Sequence, residues 1–182
     1  MSILPITIYG DKILREKAKP VTEVNVQMIK QIKDMFTTMR NANGIGLAAN
    51  QVGIDKAIFV IDVSPCEGYE KIKPIVMINP KIMLFSDEKT TMEEGCLSAP
   101  HLRADVFRPK EIKIKYQDTD LTEQTLEADE LFARVIQHEY DHLQGTFFTD
   151  RLSDELKKQV KKELIRIKNR KVDVDYPITE KD

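Results

Sequence analysis

The segment Gln137-His138-Glu139-Tyr140-Asp141-His142 constrains this chain more than any other feature. Two histidines four residues apart share one face of an α-helix, so a helix here lets both grip the same cation. The glutamate beside the first histidine can then reach a water held by that cation. The chain has only 3 histidines, which makes an accidental pairing at this spacing improbable. The surrounding pattern predicts a helix from about Glu130 to Gln144, with Gly145 placed as its C-terminal stop.

Other elements follow from periodicity. Ile29, Ile32, Phe36 and Met39 recur at helical spacing between Asn25 and about Asn43, with Asn25 as a plausible N-cap. Ser153 can cap a third helix, about residues 153–170, whose stripe is Leu156, Val160, Leu164 and Ile167. Lys157, Lys158, Lys161, Lys162, Arg166, Lys168 and Arg170 lie elsewhere on its surface. The tail, 171–182, has no pattern.

Strand-like runs lie at Ala57 to Val63, at Ile75 to Ile78 closed by Asn79-Pro80, and at Lys81 to Phe85. Ile112, Ile114 and Tyr116 alternate with polar residues, as in a half-buried antiparallel strand. Without a strict βαβ alternation, the expected class is α+β, with antiparallel or mixed strands around the central motif helix and a helix towards each terminus. The 182 residues fit a single domain, 1–182.

Composition removes several function classes. With 41% hydrophobic and 32% charged residues the chain reads as a soluble globular protein, and no apolar run approaches the ~20 residues of a bilayer span. Two cysteines are too few for a disulfide scaffold, and the N-terminus lacks the marks of an export or transit signal. The expected location is the cytoplasm. A net charge of -2 predicts no global attraction to nucleic acid or anionic lipid, so either would need a local patch.

A catalytic cation commonly has three protein ligands and a water, so the helix motif needs one partner. In the metzincin pattern Gly145 would match, but the third-histidine position is Phe148, which excludes that class. A glutamate such as Glu155 or Glu163 would give a zinc endopeptidase and leave Cys96 unused. A purely structural site would need four ligands, with His101 as the obvious addition. Cys96 lies in the compact, loop-like Glu94-Gly95-Cys96-Leu97-Ser98-Ala99-Pro100. Cys66 reads as an exposed turn. Upstream, Gly44-Ile45-Gly46-Leu47-Ala48-Ala49-Asn50-Gln51 has so little side-chain bulk that something is expected to approach its backbone closely. Its glycines fit a tight turn that reverses the chain, and alternatively a strand edge able to pair with an extended peptide.

Together, Gly44 to Gln51, Glu94 to Ser98 and Gln137 to His142 resemble the three signature motifs of peptide deformylases, in the family's order. The similarity extends to Ile13-Leu14-Arg15 through Pro20-Val21 and to Arg103 through Pro109, reaching about Leu152. It implies a metal-dependent hydrolase that removes the formyl group from formyl-methionyl nascent polypeptides and releases formate. By position, it implies Cys96, His138 and His142 as metal ligands and Glu139 as acid/base. Gln51 and the Leu97 N–H would face the reacting carbonyl, with Ile45, Gly46, Gly95 and Arg103 beside the substrate. The implied cofactor is one divalent ion, ferrous iron in the cell, with zinc, nickel or cobalt as substitutes. The implied partners are N-formylmethionyl peptides and, through the basic C-terminal helix, the ribosome, with neither a membrane nor a specific nucleic-acid sequence. Ala99, Tyr140 and Arg134 depart from the common pattern and are expected to bear on the methionine pocket without touching a ligand.

Overall fold

The computed structural model describes residues 1–181; Asp182, the end of the tail, lies outside them. Helix α1 spans Val26–Asn41, α2 Glu130–Leu143 and α3 Asp154–Lys168. The strands are β1 Gly46–Ala48, β2 Ile58–Ile61, β3 Ile75–Phe85, β4 Lys89–Cys96, β5 Ala99–Pro109, β6 Glu111–Gln117 and β7 Glu123–Asp129. One antiparallel sheet has the order β1-β2-β3-β6-β7, and β4 with β5 forms a separate hairpin. The mixed α+β class is thus as expected.

Alternation along β2 explains the layering. Phe59 and Ile61 join Ile112, Ile114, Phe132, Ala133, Ile136 and Leu143 in the core beneath α2. Ile58 and Val60 point the other way and pack with Met28, Ile32, Met35 and Met39 of α1. A helix as short as α2 is marginal alone in water. Its apolar side chains, each contributing about 1.5–3 kcal/mol when fully buried, hold it against the sheet. The hairpin has its own core with α3, made by Leu102, Val106, Leu164 and Ile167 together with Phe148 and Leu152.

The capping expectations hold. Asn25 Oδ1 accepts from the Met28 N–H at 3.0 Å, the Ser153 side chain caps α3, and Gly145 has the left-handed φ of +72° that suits a residue following a helix. Three other expectations need correction. Asn79-Pro80 does not close a strand, because β3 runs through it. Ile78 pairs with Gln117 and Lys81 with Lys115, so Asn79 and Pro80 oppose a single residue, a bulge that absorbs the missing proline N–H. Cys96 is not in a loop but ends β4, before a two-residue turn at Leu97 and Ser98. The tail is not featureless either, since Ile178 makes a parallel bridge to Ile6. Among the described residues, no helix is long and apolar enough to cross a membrane.

Candidate metal centre

Helix α2 turns its chemically active face inward, leaving His138 8%, Glu139 4% and His142 1% exposed. Opposite that face the β4–β5 turn delivers Cys96. One ligand atom from each of Cys96, His138 and His142 lies within 4.8 Å of the others, and the Cys96 Sγ is 3.1 Å from His142 Nε2. The imidazoles stand edge to face, 5.0 Å apart, and Phe147 and Phe148 pack against them. A thiol and two imidazoles suit a borderline-soft divalent ion such as zinc, iron, nickel or cobalt. Burial disfavours the imidazolium of His138, but Cys96 and Glu94 beside it raise its pKa well above normal. Burial and His138 push His142 the other way. The fit to a cation rests on the donor set itself, one sulfur and two imidazole nitrogens within 4.8 Å.

Glu94 fixes how His138 presents itself. Its Oε2 accepts from His138 Nδ1 at 2.9 Å, which leaves Nε2 as the free donor atom. Arg108 is fully buried and binds both Glu94 oxygens, at 2.6 and 2.9 Å. Arg134 reaches Glu94 Oε1 at 3.0 Å, while Arg108 Nη1 continues to Asp141 Oδ2 at 2.6 Å. Burial alone would raise the Glu94 pKa, but the bonds from His138 and Arg108 outweigh it and hold the carboxyl far below its usual range. Arg134 is thus part of the frame that orients a histidine, instead of shaping a substrate pocket as expected.

Glu139 packs against the glycine-rich strand. A Cβ added to Gly46 would lie 2.5 Å from Glu139 Oε1 and 2.9 Å from its Cδ and Cγ, so the close approach expected at this backbone is made by Glu139. Burial raises the Glu139 carboxyl to about 7, and its Oε2 has no hydrogen-bond partner among the described residues. Gln51 sits in the short 3-10 turn Ala49–Val52. Its Oε1 accepts from the Ala48 N–H at 2.8 Å, which fixes the amide so that Nε2 points to Ser98 Oγ, at 3.0 Å, and Cys96 Sγ, at 3.5 Å. Strand β1 ends its sheet: Gly46, Leu47 and Ala48 pair with β2 on one side, and the other edge carries no strand among the described residues.

The sequence model of polypeptide deformylases matches residues 3–158. The chain belongs to the polypeptide deformylase family. It is 47% identical over 176 residues to a peptide deformylase of Chlorobium phaeobacteroides, a match covering 97% of this chain and 95% of the relative. The crystal structure of peptide deformylase from Thermotoga maritima is 41% identical, superposes with a TM-score of 0.78, and covers 84% of this chain and 99% of that one. A Synechococcus elongatus peptide deformylase in complex with actinonin, also 41% identical, gives 0.80 over 92% of this chain and 87% of its own. The chain is accordingly a metal-dependent hydrolase that removes the formyl group from formyl-methionyl polypeptides.

Within this deformylase the residues singled out from sequence fall into two groups. Cys96, His138, His142, Glu139 and Gln51 converge, with Leu97 on the turn beside them, Gly46 at the start of β1 and Ile45 in the bend just before it. Gly95 and Arg103 pair across the hairpin, where Arg103 is exposed and lies 3.7 Å from Glu93. The rival ligands are elsewhere: His101 is exposed and sits 2.6 Å from the Asp173 carbonyl, while Glu163 pairs with Arg166. Sequence reasoning missed Glu94, Arg108 and Asp141 as a buried ionic frame. A usable signal was the alternation Leu102, Ala104, Val106, Arg108 along β5, which places an arginine on the inward face.

Proposed function

We propose that Cys96, His138 and His142 hold the catalytic cation of this deformylase, with Glu139 moving the protons and Gln51 and the Leu97 N–H stabilising the oxyanion. The observation that carries this reading is the convergence of a sulfur and two imidazoles within 4.8 Å, beside a buried carboxylate with a free oxygen. Held there, a divalent cation supplies Lewis acidity and lowers the pKa of water from 15.7 towards about 7. Glu139, raised into the neutral range by burial, accepts a proton from the attacking water. The water oxygen bonds to the formyl carbon, and the former carbonyl oxygen takes up negative charge between the Gln51 amide and the Leu97 N–H. Collapse breaks the C–N bond, Glu139 returns its proton to the leaving nitrogen, and formate separates from the free amine.

The open edge of β1 suits docking of the formyl-peptide as an added strand along Ile45 and Gly46, with Gly95 and Arg103 on the facing hairpin. Ferrous iron is the ion proposed for the cell, with zinc, nickel or cobalt able to occupy the same donors. The cytoplasm is the proposed compartment. The basic face of α3 is proposed to dock on the ribosome, near emerging chains.

The decisive assay is formate release from a formyl-methionyl peptide by metal-loaded protein. Glu139→Gln should abolish release while one ion per chain is retained. A Glu139→Gln variant that still turns over at the wild-type rate would remove Glu139 from the reaction.

A further inference from the structure

Beyond α3 the chain turns back across the molecule to the turn that carries Leu97. Asp11 holds this strap through Arg170 Nη2, at 2.5 Å, and Thr179 Oγ1, at 2.8 Å. Backbone bonds from the Ile6 N–H to the Pro177 carbonyl, at 2.9 Å, and from the Thr179 N–H to the Ile6 carbonyl, at 3.0 Å, pair it with the N-terminal stretch. That stretch in turn binds both sides of the centre: the Thr7 N–H donates to the Gln51 carbonyl at 2.8 Å and the Tyr9 N–H to the Ser98 carbonyl at 2.7 Å. Between its anchors the strap places the Tyr176 hydroxyl 2.8 Å from the Leu97 carbonyl, to which it donates. The Tyr176 ring packs against the same apolar cluster as Leu97.

We propose that Tyr176 is a positioning residue for deformylation, holding the Leu97 peptide so that its N–H is aimed at the developing oxyanion. This rests on the role of Leu97 given above. Leu97 lies in a two-residue turn, where the peptide planes on either side of its Cα can rock together. Fixing the carbonyl on one side limits that rocking, and a hydrogen bond aimed at transition-state charge loses strength steeply when its donor swings away. The family match ends at residue 158, so the strap belongs to a part of the chain outside the matched region.

Tyr176→Phe deletes the hydroxyl and keeps the ring. Losing one neutral hydrogen bond should lower kcat about 3- to 10-fold with KM within about twofold of wild type. Amide exchange of the segment holding Leu97 and Ser98 should become faster in the metal-loaded variant, while metal content and Tm stay unchanged. Faster exchange with unaltered kcat would show that Tyr176 holds a turn whose N–H does no work, overturning the role of Leu97 and the proposal with it. Unaltered exchange and unaltered kcat would overturn the proposal alone. Loss of metal or a parallel fall in Tm would assign Tyr176 to the fold and also overturn it.

Discussion

Gly46→Ala is a change of one methyl group, and the structure says where that group must go. The new Cβ would stand 2.5 Å from Glu139 Oε1, whereas relaxed contacts lie at about 3.5 Å, so the carboxylate has to retreat by roughly 1 Å. The strand itself tolerates alanine, since Gly46 is not among the residues with a positive φ. Glu139 is buried on α2 and has little space for an alternative rotamer. A displacement of that size in a proton-transferring group costs about 100-fold in rate, or about 2.7 kcal/mol of barrier. The assay is formate release at saturating formyl-methionyl peptide, alongside elemental analysis, because Gly46 is not one of the proposed ligands and metal should remain at one per chain. Turnover within about threefold of wild type in fully loaded protein would refute the reasoning. A rise in KM alone would assign Gly46 to peptide docking instead.

Gln51→Ala should lower turnover about 100-fold or more with metal retained, because one oxyanion donor is worth ~3 kcal/mol; wild-type turnover would dismiss Gln51. Glu94→Gln leaves Arg134 without its carboxylate and Arg108 with Asp141 alone, and denaturant melts of metal-free protein should show a loss of about 3–5 kcal/mol. The same variant should bind metal 10- to 100-fold more weakly by competition titration, since His138 loses the charge that fixes its ring. The depressed pKa of Glu94 makes its stabilisation fully present above the ordinary carboxyl value of 4.5 and progressively lost as pH falls below it. The gap between wild type and Glu94→Gln should therefore narrow on acidification, and a constant gap would contradict the linkage. Reversing the charges of Lys157, Lys161 and Lys162 should weaken co-sedimentation with ribosomes, and unchanged co-sedimentation would argue against docking.

What could be read in the sequence was mostly local. The α2 motif was legible because the spacing of His138 and His142 carries both the helix and the chemistry. The caps at Asn25, Gly145 and Ser153 are likewise decided within one turn. The β4–β5 hairpin was hidden because several inward positions carry Thr90, Glu94 and Arg108, and only the fold shows that these polar groups satisfy one another. The continuity of β3 through Asn79-Pro80 depends on partners far away, with the Asn79 side chain bonding Val21 and Gln117. The tail is ordered by Asp11, Ile6 and Leu97, more than seventy residues distant, so nothing in its own composition announces it. Cys96 was found through its neighbours in sequence, but its position at a strand end, facing the two histidines, required the structure.

X-ray absorption on zinc-loaded protein tests the central claim most directly. The expected spectrum has one sulfur shell at about 2.3 Å and two imidazole nitrogens at about 2.0–2.1 Å, with the sulfur shell missing in Cys96→Ala. A first shell made only of nitrogen and oxygen in the wild-type protein would contradict the assignment of the centre.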